Sequence, residues 1–230
     1  MAGIRGEGEV WISEGLLTTY SSKPLMTRQS KENLSRSAEA VTLNQRGAPL
    51  PRERFPEEAW GDEDAAATIE RLPHMFSVRG FPTVSSEVAA IMRDFDLGQG
   101  ALYPIDIYQR NRKRLIGTFH CLNIGNVKDT FLPEHSPTAK PMRSFRKPKP
   151  GDPPRPVKFE GPSKTSKGDM TLTADALQGP DLWLEAKVNK MLFLSGPLAR
   201  AIRKARVERG FRMRACTVVE AVTVDHPTPA

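Results

Sequence analysis

Two stretches of the chain carry the same hydrophobic rhythm. In the first, the apolar run Phe81-Pro82-Thr83-Val84 ends in Ser85, and Val88, Ile91, Met92 and Phe95 follow. In the second, Met191-Leu192-Phe193-Leu194 ends in Ser195, and Leu198, Ala201, Ile202 and Ala205 follow. Both sets fall 3, 6, 7 and 10 residues beyond the serine, which is one stripe of a helix of period 3.6. A serine at that place is a natural N-cap, its hydroxyl accepting from a free N–H of the first turn. Pro197 fits a first turn, where its missing donor costs nothing. Gly98 and Gly210 follow the two helices, and a further strand-like run begins after each. The pattern predicts two pseudo-repeated strand–Ser–helix–strand units, over about 75–132 and about 170–224.

Elsewhere the alternation is of period two. Glu9-Val10-Trp11-Ile12 and Met75-Phe76-Ser77-Val78 read as strands. Tyr103, Ile105 and Ile107 share one face of a strand that the polar turn Arg110–Arg114 joins to a second, Leu115–Ile124, as a β-hairpin. Val127–Phe131 continues the sheet. Asp62 caps an expected helix to about Leu72, stopped by Pro73, while residues 1–60 are otherwise polar and of poor periodicity. Met170-Thr171-Leu172 and Asp181–Leu184 are apolar runs, and Phe211, Met213 and Ala215 alternate with Arg212, Arg214 and Cys216 in a last long strand. From about 133 to 168 proline, lysine, arginine, serine and glycine dominate, which predicts a long loop with at most a short strand at Val157–Phe159. The expected fold is a single α+β domain over 1–230 with mainly antiparallel sheet.

Composition narrows the class of protein. A chain of 230 residues can bury a substantial core. No apolar run approaches the ~20 residues of a membrane span, and the first residues lack the apolar segment of a signal peptide. Two cysteines are too few for a disulfide scaffold, so a cytoplasmic location with reduced thiols is expected. The net charge of +7 is unevenly spread. Seven basic residues stand against one acidic residue in Lys140–Lys158, and again in Arg200–Arg214. Residues 53–70 are instead acid-rich. Such runs are either solvated faces or an electrostatic patch for an acidic partner, whether protein or nucleic acid.

Groups that could carry chemistry do not converge along the sequence. His120 and Cys121 are adjacent, but consecutive strand residues point to opposite faces and cannot bond each other. His74, His135 and His226 show no metal-ligand spacing. Gly98-Gln99-Gly100 follows a helix and reads as a turn rather than a phosphate loop. Ser195 lacks the preceding glycine of a nucleophile elbow, and Asp106, Asp129 and Asp181 show no paired carboxylate. Catalytic residues, metal and cofactor are therefore all expected to be absent. Arg200, Arg203 and Lys204 ring the outer side of the second helix and could contact phosphates, but no aromatics are interleaved for base stacking.

The Ser-headed helix, the strand Leu102-Tyr103-Pro104-Ile105-Asp106-Ile107 and the run Leu122-Asn123-Ile124-Gly125-Asn126 resemble a family of bacterial immunity proteins. So do Asp181-Leu182-Trp183 and Leu192-Phe193-Leu194-Ser195. The family is the eleventh immunity family of polymorphic-toxin systems, formerly a domain of unknown function. The resemblance covers about 75–129 and 181–219. It implies a non-enzymatic cytoplasmic protein that binds and neutralises a cognate toxin by occlusion, and it carries over no contact residues. A basic inhibitor favours an acidic toxin surface. The expected contacts are Arg143, Arg146, Lys147, Lys149 and Arg155 in the loop and Arg200, Arg203 and Lys204 on the helix. A basic nucleic-acid-associated protein, or an adaptor of a toxin secretion system, is the alternative.

Overall fold

The computed structural model describes residues 4–5, 9–16, 22–66, 68–142, 157–161 and 170–219. Met75–Val78 and Phe81–Ser85 form a tight antiparallel hairpin whose turn residues Arg79 and Gly80 both have positive φ, at 50° and 94°. Turns of this hand match the twist of paired strands. Phe76, Val78 and Phe81 face one side of the hairpin, and Met75 and Val84 face the other. At Ser85 the chain leaves the sheet. Its backbone is extended, and its hydroxyl accepts the Val88 N–H at 3.3 Å to start the helix Ser86–Met92. The strand Ala101–Tyr108 then pairs antiparallel with Leu115–Asn123, and the latter lies beside the hairpin.

The second Ser-headed segment is built alike. Leu182–Glu185 pairs antiparallel with Leu192–Ser195, and Ser195 accepts the Leu198 N–H at 3.3 Å. The helix Gly196–Lys204 follows, with Pro197 in its first turn. In both segments the serine N–H donates at 2.9 Å to the residue just before the neighbouring strand, the His74 carbonyl for Ser85 and the Asp181 carbonyl for Ser195. The strand after the helix, Met213–Ala215, again does not touch the strand before it. The gap is filled by Val10–Ser13, from the far end of the chain.

In chain order we label the principal strands β1 (Val10–Ser13), β2 (Leu25–Thr27), β3 (Glu58–Gly61), β4 (Met75–Val78), β5 (Phe81–Ser85), β6 (Ala101–Tyr108), β7 (Leu115–Asn123), β8 (Val127–Lys128), β9 (Thr171–Thr173), β10 (Leu182–Glu185), β11 (Leu192–Ser195), β12 (Met213–Ala215) and β13 (Thr217–Val219). The helices are α1 (Arg28–Glu32), α2 (Leu34–Asn44), α3 (Ser86–Met92) and α4 (Gly196–Lys204). One sheet has the order β2-β3-β6-β7-β5-β4, and the other β12-β1-β11-β10-β8. β9 and β13 form a small third sheet with residues 4–5. The fold is mixed α+β with sheet predominating. Most pairings are antiparallel; β3 with β6, β8 with β10 and β9 with β13 are parallel.

The largest core lies between the two big sheets. Val84 and Leu122 contribute from one, Leu182, Leu192 and Leu194 from the other, and both Ser-headed helices from between them. Val88, Ala89 and Met92 of α3 are buried, as are Leu198, Ala199 and Ile202 of α4. The buried stripe thus sits 3, 4 and 7 residues beyond the serine. Both helices are too short to carry the expected fourth position: Phe95 lies beyond α3, and Ala205 is an exposed C-cap. On the outer face of the six-stranded sheet α2 and Phe55 cover Phe76, Phe81, Ile105 and Ile107. The third sheet covers Val10, Ile12, Trp183 and Phe193 on the outer face of the five-stranded one.

Several expectations are corrected. No helix forms over residues 62–66 or 68–72. Asp62 instead closes a turn by accepting the Asp64 N–H at 3.0 Å, and Ile69 exchanges two hydrogen bonds with the Gln109 side chain, at 2.8 and 2.7 Å. The polar N-terminal third contains α1 and α2, whose ends are capped by Thr27 and Asn33. β8 joins the five-stranded sheet, not that of the β6–β7 hairpin. The last long strand is two strands, β12 and β13, with Cys216 between them and Arg212 at φ 50° just before. Of the proline-rich loop, residues 143–156 and 162–168 lie outside the described residues. The flanking Lys140–Pro141 and Phe159–Glu160 pair antiparallel, the second strand starting two residues beyond the expected Val157.

Candidate functional site

The residues that first suggest chemistry are held apart. His120 and Cys121 are neighbours on β7 that face opposite sides of the sheet. Cys121 belongs to the outer core with Phe76 and Phe81, and burial pushes its thiol up to about 12, against the nearby Thr83 hydroxyl. His120 faces α3, where its Nε2 lies 2.9 Å from the Arg93 guanidinium. Burial, and then the Arg93 charge, hold this imidazole below its ordinary range. Cys216 lies in a different core, with Phe131, and burial raises its thiol as well. Among the described residues no three His, Cys, Asp or Glu side chains cluster to hold a metal ion.

The other singled-out carboxylates have local partners. Asp106 accepts the Thr118 hydroxyl at 2.6 Å, Asp181 accepts the Asp96 N–H at 2.9 Å, and Asp129 pairs with Lys187 at 2.9 Å. A carboxylate the sequence did not single out, Glu185, is 2% exposed. It accepts from the Thr130 N–H and hydroxyl, the Phe131 N–H and the Trp183 indole, at 2.6 to 3.2 Å. Four donors satisfy it, so it clamps residues 130–131 onto β10 and presents nothing to solvent.

Of the expected contact residues, Arg143, Arg146, Lys147, Lys149 and Arg155 lie outside the described residues. Arg200, Arg203 and Lys204 are exposed on α4, and the Arg203 guanidinium lies 5.0 Å from the Trp11 ring centre. His74 is half-buried, its Nδ1 3.0 Å from the hydroxyl of the capping Ser85 and 3.8 Å from the Glu87 carboxylate.

The structure assembles a cleft of about 470 Å³ where the two large sheets meet. Its buried floor is Leu72 and Met75. Three chain segments supply the polar lining: Glu14 and Lys23, Arg71 and His74, and Arg209 and Arg212. Glu14 is nearly buried and is held by Arg214 at 3.2 Å and Arg212 at 3.8 Å. Four cations therefore face one carboxylate that is already neutralised. Among the described residues, no carboxylate pairs with the side chains of Lys23, Arg71 or Arg209. Gly15 and Gly210 allow the segments to close on Met75. A Cβ on Gly210 would lie 2.6 Å from the Met75 carbonyl oxygen, and one on Gly15 would lie 2.6 Å from its terminal methyl.

Only part of this cleft was marked in the sequence. Arg209 and Arg212 belong to the basic run after Arg200, whereas Glu14, Lys23 and Arg71 stand in unremarkable surroundings, and only the fold brings them together. A second groove, lined by Glu53, Glu57, Glu58 and Asp106, carries the opposite sign. There Arg28 and Arg112 neutralise Glu58, at 2.7 and 3.1 Å. The described residues contain no helix long and apolar enough to cross a membrane. No family model matches the chain, and no curated protein matches it.

Proposed function

We propose that this chain is a non-enzymatic cytoplasmic immunity protein that binds a cognate bacterial toxin on an acidic surface and neutralises it by occlusion. The observation that carries the reading is the cationic lining of the cleft, which continues in sequence from the exposed cations of α4. Lys23, Arg71 and Arg209, which pair with no carboxylate among the described residues, lose no ion pair on meeting an acidic surface, and their field speeds the encounter. The similarity of the two Ser-headed units supports the motifs on which the resemblance rests. In sequence, the proline-rich stretch Lys140–Lys158 is basic as well. Among the described residues, two aromatic side chains that could stack on bases are engaged within the protein: Trp183 is fully buried, and Arg112 lies 4.0 Å from the Trp60 ring centre. This favours a protein partner over single-stranded nucleic acid.

The test is co-expression. If the neighbouring gene encodes a toxin domain, cells expressing that domain should survive when the wild-type chain is present, and the two proteins should co-purify. Failure of rescue, together with salt-sensitive binding of DNA or RNA by the purified protein, would replace this reading with the nucleic-acid one.

A further inference from the structure

We infer that the cleft between the sheets is the anchor for an acidic segment of the partner protein, seated with carboxylates on Lys23, Arg71 and Arg209 and an apolar side chain on Leu72 and Met75. This rests on the acidic-partner reading above and says where on the surface that partner is gripped. Three observations single out the cleft over the outer side of α4. The cleft is concave and has an apolar floor, so a bound side chain is desolvated there, and desolvated anchors dominate binding energy. The cations on α4 project from a convex helix, where charges stay hydrated and an ion pair contributes little. Second, guanidinium groups from separate segments approach one cleft, and arginine forks suit carboxylates bidentately. Third, the native carboxylate of the cleft, Glu14, is itself held by two arginines, which shows the lining accepting a carboxylate while leaving the remaining cations unmatched.

The occupant that fits is an extended segment with acidic residues flanking a single leucine or methionine. The probe is a fluorescein-labelled nonapeptide of glutamates around one central leucine, titrated against the full chain at low salt. Binding should be saturable, should weaken as salt is added, and should fall about tenfold or more in a Lys23→Gln, Arg71→Glu, Arg209→Glu variant, as the loss of desolvated charge partners requires. Reversing Arg200, Arg203 and Lys204 to Glu should change it less than about threefold, the exposed-pair range. Melting temperatures near that of wild type check that both variants fold. Wild-type hydrogen exchange gives a readout free of mutation: peptide should protect amides at 71–75 and 209–212. If the helix variant loses binding and the cleft variant keeps it, this placement is wrong while the acidic-partner reading stands. If the peptide does not bind at all, the placement is equally wrong. If RNA binds in its place, both readings fall together.

Discussion

Gly210 lies against the backbone of Met75 so closely that a side chain there would meet the Met75 carbonyl oxygen at 2.6 Å. The contact joins the segment entering β12 to the start of β4, so it sets the distance between the two sheets at the floor of the cleft. A Gly210→Ala change must move backbone against backbone. It should destabilise the fold by about 1–3 kcal/mol, the usual cost of overpacking. At Gly15 the clash would be with the Sδ and Cε of Met75. A flexible side-chain end can swing aside, so Gly15→Ala should cost less. Urea titrations of the two variants check the order, and equal losses would show that the sheet junction is softer than described.

The serine caps give a paired prediction. Ser85→Ala and Ser195→Ala each remove the acceptor of one first-turn N–H and should each cost ~1 kcal/mol in chemical denaturation. Ser85 also engages His74 at 3.0 Å, whereas the residue in the same place before β10 is Asp181. The loss at Ser85 should therefore be the larger of the two.

Lys128 provides a pH signature. Its ammonium donates to the Ala176 and Gln178 carbonyls and lies 3.6 Å from the Trp183 ring centre. Burial lowers its pKa from 10.5 to about 8, against the opposing pull of Glu185, Asp181 and Asp96. Between those values the unfolded chain holds a proton that the folded chain has released, so this group makes stability rise with pH across the window. The buried thiols act the other way above pH 9, because their folded pKa values are raised. The contribution of Lys128 is therefore read as the difference between wild type and Lys128→Gln, in which the thiols cancel. Wild type should gain on the variant from about pH 8 to 10.5, and a constant difference would refute the lowered pKa.

Both cysteines are buried with raised pKa values, and the thiolate is the reactive form. A soluble thiol reagent should leave the native protein unmodified at pH 8 and label both positions at once in denaturant. Rapid labelling of either one in the native state would show that its core opens.

How much of this could be read from the sequence depends on whether the signal was local. The two capping serines and the β6–β7 hairpin were legible because spacing and turn chemistry within ten or twenty residues determine them. α2 was not, because its inward face uses Ser37, Ala40 and Asn44 in place of large apolar residues, while Leu34 is 61% exposed. Asn44 earns its burial through bonds to the Leu122 carbonyl and the Ile124 N–H, at 2.9 and 3.0 Å. Local signals for this region did exist in the Thr27–Ser30 capping box and the Asn33 cap. The expected helix after Asp62 failed because Gln109, forty residues away, offers Ile69 the hydrogen bonds of a strand partner. The cleft was invisible for a related reason: its cations come from segments separated by up to nearly two hundred residues, and no window of sequence contains them together.

β1 sits between β11 and β12, although it precedes them by some 180 residues in the chain. On a ribosome β1 is thus made well before either of the strands it pairs with. At ordinary elongation rates of ~5–20 residues per second it waits roughly 10–40 s for its neighbours to be synthesised. Throughout that interval Val10 and Ile12, which end fully buried, are exposed with their backbone unpaired. The five-stranded sheet cannot close until Met213–Ala215 has been synthesised, and the long-range pairing that closes it is the kind that folds slowly. The cleft, lined by Glu14 and Lys23 on one side of this separation and by Arg209 and Arg212 on the other, comes into being only with that closure, so a chain released before Arg212 lacks it.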